Sequence, residues 1–125
     1  MSRRPAHPKA SLPLSSAVLH ILLSLAEDDR HGYSIMQHVA ERTGGKLRLG
    51  PGTLYGCLKR LLTDGLIEES ARRVGRERDD PRRRYYRLTS LGRRVATLEL
   101  ERLAALLKAA RETRLGRALP ALGTR

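Results

Sequence analysis

Apolar positions recur at helical spacing in four stretches of this chain and change to a β-type pattern once, after the third. Beyond Pro13, the residues Val18, Leu19, Leu22, Leu23 and Leu25 make a nearly continuous apolar surface. That surface predicts a buried first helix, ended by a turn at Asp28, Asp29 and Arg30. From about Gly32 to Thr43, Tyr33, Met36, Val39 and Ala40 recur at three- and four-residue spacing, the mark of one buried helix face. Gly44 and Gly45 supply the backbone freedom that a helix end demands, and Lys46 to Leu49 reads as a short link. Gly50 and Pro51 suit the start of a third helix, since proline at the first helical position lacks only a donor that had no partner. Leu54, Leu58, Leu61 and Leu62 share one face of it with Cys57 beside them, whereas Gly56, Lys59, Arg60 and Thr63 lie opposite; Gly65 closes the helix.

The period then changes. Leu66 to Arg73 and Arg84 to Leu88 read as two strands carrying the β-favouring Ile67, Tyr85 and Tyr86. Between them, Gly75 and Pro81 punctuate a long charged hairpin tip. Thr89 is placed to cap a final helix running from about Ser90 to Arg114. The expected divisions are a flexible basic arm (1–11), a DNA-binding unit (12–89), a C-terminal helix (90–114) and a flexible tail (115–125). The predicted class is mainly α with a small β-hairpin: a winged helix-turn-helix followed by a long dimerisation helix.

Composition narrows the function. Lysine and arginine number 25 against 13 acidic residues, a formal charge of +12. So large an excess repels itself in the compact state and suits a polyanionic partner, nucleic acid first and an anionic membrane surface second. The single cysteine, Cys57, allows no internal disulfide and fits a reducing compartment. Arg3 and Arg4 before the apolar run Leu14 to Ala26 imitate a signal peptide, but removing that run would remove a helix that the fold needs. The run is also too short to span a bilayer, so a cytoplasmic, non-membrane protein is expected. Neither paired carboxylates, nor a phosphate-binding glycine loop, nor a nucleophile–base set stands in a plausible context, so no enzyme is expected. His20, His31 and His38 with Cys57 fit no zinc spacing, and no cofactor or metal is expected. His31, just before a helix, reads as a cap or as packing beside Tyr33.

In a winged helix-turn-helix the third helix enters the major groove. Thr53, Tyr55, Lys59 and Arg60 are available on its outward side. Between Arg72 and Arg87 stand eight arginines with three acids, Glu77, Asp79 and Asp80. Guanidinium forks match phosphate oxygens, which makes Arg82, Arg83 and Arg84 candidate DNA contacts, while the acids warn that not every arginine faces DNA. In the last helix Leu91, Val95, Leu98, Leu103, Leu106, Leu107 and Ala110 spread over more than a third of the circumference. At about 1.5 Å per residue that helix reaches roughly 35 Å, longer than a domain of this size can cover. A second subunit is therefore expected over Leu98, Leu103, Leu106 and Leu107.

His31-Gly32-Tyr33, Gly52-Thr53-Leu54-Tyr55, Leu58-Lys59-Arg60-Leu61, Asp64-Gly65-Leu66-Ile67 and Arg84-Tyr85-Tyr86-Arg87-Leu88-Thr89 with Gly92, in this order, resemble the PadR family of transcriptional regulators over about residues 14 to 107. The resemblance implies a homodimer joined through the last helix, a palindromic promoter site in double-stranded DNA, and usually repression. It also implies recognition-helix roles for Thr53, Tyr55 and Lys59, with the Tyr55 hydroxyl near a phosphate. Some members stack aromatic ligands on a tryptophan that this chain lacks, so a small-molecule effector is left open and unnamed. The alternative is a winged-helix module for protein contact or nonspecific nucleic-acid binding.

Overall fold

A computed structural model describes residues 12–71 and 83–120. The elements are α1 (Ser16–Ser24), β1 (Arg30–His31), α2 (Gly32–Arg42), α3 (Pro51–Thr63), β2 (Ile67–Ser70), β3 (Tyr85–Leu88), α4 (Ser90–Ala110) and α5 (Arg114–Arg117). The three strands form one antiparallel sheet in the order β1-β3-β2. Arg30 pairs with Tyr86 and His31 with Tyr85 on one side of β3, and Ile67 pairs with Leu88 on the other. The hairpin expected from sequence thus has a third strand. β1 carries too few residues for an alternating pattern and exists through its pairing with β3, which is why Asp28 to Arg30 read as a turn alone. The regular strands stop at Ser70 and start at Tyr85, inside the expected limits. The hairpin tip and the expected arm at 1–11 lie outside the described residues.

Caps decide the helix ends. Ser15 caps α1: its hydroxyl accepts the Val18 N–H at 3.2 Å. His31 caps α2 as expected, its Nδ1 accepting the Ser34 N–H at 3.2 Å, while its ring meets Tyr85 edge to face, not Tyr33. Thr89 caps α4. The last helix ends at Ala110 rather than Arg114, because Thr113 caps the separate turn of α5, inside the expected tail. Gly116 makes that corner possible: a Cβ there would lie 1.8 Å from the Ala110 carbonyl oxygen.

The core collects one face from each of the first four helices and both faces of β3. Ile21 and Leu22 of α1, Ile35 and Val39 of α2, Leu54, Leu58 and Leu61 of α3, Ile67, Leu88 and Val95 are buried together. Removing each aliphatic side chain from water stabilises the fold by about 1.5–3 kcal/mol. Tyr33 leaves the buried face assigned to it and is exposed, because the Ile35–Val39 line, with Gly32, sets the buried side of α2. A tight joint ties the end of α3 to the start of α4. The Thr89 hydroxyl donates to the Gly65 carbonyl at 2.6 Å and the Thr89 N–H to the Leu66 carbonyl at 3.1 Å. A Cβ on Gly92 would fall 1.9 Å from that Leu66 oxygen, so α4 can start there only on glycine.

One charged group sits inside. Glu99 is 1% exposed and accepts three N–H groups: Leu14 at 3.2 Å, Arg102 Nε at 2.7 Å and Arg102 Nη2 at 2.9 Å. The Arg102 hydrogen bonds, opposed by burial and helped by the Leu14 N–H, hold its carboxyl below the usual carboxylate range. Glu99 thereby fastens the segment entering α1 to the middle of α4.

Candidate nucleic-acid interface

The outward face of α3 is open. Thr53, Tyr55, Lys59 and Arg60 are all exposed, opposite the line of Leu54, Leu58 and Leu61. Counting about 100° per residue, Gly52 and Gly56 run down the middle of this face. A Cβ on either glycine would meet nothing within 4 Å, so neither is there for internal packing. Thr53 and Arg60 flank the bare strip on one side, Tyr55 and Lys59 on the other.

Tyr55 is 50% exposed yet not free to wander, since its ring runs across the start of α2. A Cβ on Gly32 would lie 2.3 Å from the Tyr55 hydroxyl oxygen and 2.8 Å from Cζ. Gly32 is therefore needed for contact rather than for backbone freedom. Tyr86 of β3 comes up beside it. Burial, then the negative charge of Glu69, then Tyr55, push the Tyr86 phenol above its ordinary range and keep it a neutral hydrogen-bond donor. His31, Gly32, Tyr33, Tyr55, Arg83, Arg84 and Tyr86 line a recess of about 330 Å³.

The described wing arginines differ in their engagements. Arg84 pairs with Glu69 at 3.3 Å and Arg87 with Glu68 at 2.8 Å, both across the β2–β3 ladder. Exposed pairs of this kind contribute little stability and exchange partners readily. Arg83 Nη1 lies 3.0 Å from His31 Nε2. The other ring nitrogen of His31, Nδ1, accepts the α2 cap bond from Ser34. Arg82 lies outside the described residues. Among the described residues, no group of three or more His, Cys, Asp or Glu could hold a metal ion.

α4 carries a second candidate surface. Gly92, Val95, Ala96 and Glu99 of its first turns are buried. The same side continues through Leu103, Leu106, Leu107 and Ala110, where burial falls away and Leu106 reaches 58% exposure. Leu98 does not join them. It sits about 110° around the helix, lining a shallow depression with Ser90, Arg93, Arg94, Thr97 and Glu101. Sequence reasoning also missed Gly32, Tyr86 and Glu99 as positions of consequence. The Tyr85-Tyr86 pair carried a usable signal, since consecutive buried aromatics imply a strand covered on both faces.

Residues 19–98 match the Transcriptional regulator PadR-like family. The chain belongs to that family. The PadR-like chain is 40% identical over 90 residues to the transcriptional regulator Rv3488 of Mycobacterium tuberculosis, a match covering 72% of this chain and 78% of that protein. Among solved structures, a PadR family transcription regulator from hypervirulent Clostridium difficile superposes with a TM-score of 0.65 at 27% identity, covering 78% of this chain and 97% of that one. A transcriptional regulator from Clostridium thermocellum gives a TM-score of 0.64 at 25% identity over 81% of this chain and 98% of that one. A MarR family regulator from Silicibacter pomeroyi, at 23% identity and a TM-score of 0.58, shares the fold over 87% of this chain and 66% of that one. The fold is the winged helix of these regulators. Among the described residues no helix is long and apolar enough to cross a membrane.

Proposed function

We propose that this PadR-like regulator is a sequence-selective DNA-binding repressor that works as a homodimer on a palindromic promoter site. The observation that carries the DNA reading is the outer face of α3. Two glycines with open space above them run between Thr53, Arg60, Tyr55 and Lys59. Interior glycine, here Gly56, costs a helix about 1 kcal/mol relative to alanine, and nothing inside the fold repays that cost. A partner that must approach the helix backbone closely does, and the major-groove edge of a base pair is such a partner. The net charge of +12 supplies the nonspecific attraction. Lys59 and Arg60 suit base edges or phosphates, and Arg83 and Arg84, with Arg82, suit the backbone.

The dimer reading rests on continuity. One side of α4 is covered by its own domain over the first turns and only partly covered over the last, where Leu103 and Leu107 are half-buried and Leu106 is exposed. A second copy of the helix, laid antiparallel or crossed, would extend the same core across a two-fold axis. Leu98 lies about 110° around α4 from that side. An effector acting through α4 would reach α3 by the Thr89–Gly92 joint.

Sequencing of genomic DNA fragments retained by the purified full chain tests the function. Enrichment of a few fragments sharing an inverted repeat supports selective regulation. Uniform retention of all fragments would assign the fold to nonspecific packaging, and no retention would remove DNA as the partner.

A further inference from the structure

The recess between the start of α2, α3 and strand β3 is lined by a tyrosine whose hydroxyl bonds to nothing among the described residues. Tyr86 is only 6% exposed, and among the described residues its hydroxyl has no hydrogen-bond partner, although its ring helps to line the recess. The oxygen is not among the unpartnered atoms sealed from solvent, so it is open to a ligand in the recess. Around it lie the Tyr55 hydroxyl, the Arg83 and Arg84 guanidinium groups and the start of α2, and the Glu69 carboxylate near Tyr86 is itself paired with Arg84. The complement to such a set is a compact anion with several acceptor oxygens.

We propose that this recess seats one phosphate of the DNA backbone, with Tyr86 and Tyr55 donating their hydroxyls to it beside Arg83, and Gly32 keeping its floor clear. The proposal rests on the DNA reading above and assigns Tyr86, which that reading leaves unused, as a contact. Gly32 is a positioning residue: a side chain there would collide with the Tyr55 ring and move its hydroxyl out of the recess. A phosphate held here fixes how far α3 enters the adjoining groove, since the seat includes one residue of α3 itself.

The test uses the full-length protein and a duplex of random sequence, because a phosphate contact is independent of base sequence. Tyr86→Phe removes only the hydroxyl. Its melting temperature should match wild type, since nothing in the protein loses a partner, while duplex affinity falls about ten-fold, the scale of one hydrogen bond to a charged acceptor. Arg83→Ala should lower the slope of log affinity against log salt by about 0.9. In that background Tyr86→Phe should cost two- to three-fold only, because the two groups share one phosphate. Gly32→Ala should reduce affinity as far as Tyr55→Phe does. Should Gly32→Ala melt too low for titration, adding Tyr55→Ala is expected to restore the melt but not the affinity. Wild-type affinity in Tyr86→Phe, a lower melting temperature for it, or full additivity with Arg83→Ala would each overturn the seat while leaving DNA binding intact. Tyr86-dependent binding of inorganic phosphate, with duplex affinity unchanged by Tyr86→Phe, would reassign the recess to a free anion and equally overturn it. Failure of the wild-type chain to bind any duplex would instead remove the DNA reading on which the seat depends.

Discussion

Replacing Glu99 with glutamine tests whether the buried carboxylate fastens α1 to α4. The side chain is 1% exposed and its oxygens accept from Leu14 N, Arg102 Nε and Arg102 Nη2 at 2.7 to 3.2 Å. An amide of the same shape can still accept the Leu14 N–H. Its own NH2 group, however, would face the guanidinium donors, so at least one charge-assisted bond is lost. Such bonds contribute about 1.5–3 kcal/mol each, and Arg102 is open enough to rehydrate, which places Glu99→Gln near 2 kcal/mol at neutral pH. With a urea slope of about 1.5 kcal/mol/M for a chain of this size, the unfolding midpoint should fall by roughly 1.3 M. The loss should also depend on pH. The folded carboxyl titrates below its ordinary value, so its contribution is full above the unfolded carboxylate pKa and disappears as pH falls through the folded one. Urea melts of both proteins at matched concentration, from pH 7 down to pH 3, should therefore converge in acid. A difference below about 0.5 kcal/mol at pH 7 would place Glu99 with ordinary surface pairs, and a constant difference across the range would show that the charge plays no part.

Three further outcomes follow from the same geometry. Gly56→Ala meets no atom within 4 Å and should raise stability by about 0.5–1 kcal/mol through helix propensity, read as a melt a few degrees higher; a lower melt would mean that the open space is not there. Lys59→Ala should melt as wild type and weaken duplex binding, with a shallower salt dependence if Lys59 meets a phosphate and relaxed preference at one base pair if it meets a base edge. Replacing Leu103 and Leu107 with glutamate should give a monomer in sedimentation at tens of micromolar with helix content retained, because carboxylates cannot remain buried against leucine; a double variant that stays dimeric would send the seam elsewhere.

Much of this fold is legible in the sequence where a single element carries its own signal. Leu54, Leu58 and Leu61 set the buried side of α3 by spacing alone, and the exposed positions Thr53, Tyr55, Lys59 and Arg60 follow from it. What escapes depends on partners far along the chain. β1 is two residues held by β3, more than 50 positions later. Tyr33 has the spacing of a core residue but loses its place to Ile35. Glu99 falls on the line through Val95 and Leu103, where an acid looks misplaced until Leu14, 85 residues earlier, supplies an N–H. Gly32 carries no mark of its role, because the Tyr55 ring that excludes its side chain arrives from another helix. Leu98 is apolar by composition, and its angle around α4 sets it apart from Leu103 and Leu106.

The most direct test of a two-headed DNA reader is the spacing of its half-sites. Two α3 helices related by a two-fold axis should read half-sites one helical turn apart, about 10–10.5 base pairs, or a multiple of that. Affinity of the full chain should be measured for a retained inverted repeat and for the same repeat with five base pairs inserted at its centre, then with ten. The five-base-pair insertion turns one half-site to the opposite side of the duplex and should reduce affinity to that of random DNA. The ten-base-pair insertion restores the facing and should recover part of the affinity if α4 yields. Equal affinity for all three duplexes would contradict a dimer that holds two recognition helices in fixed register.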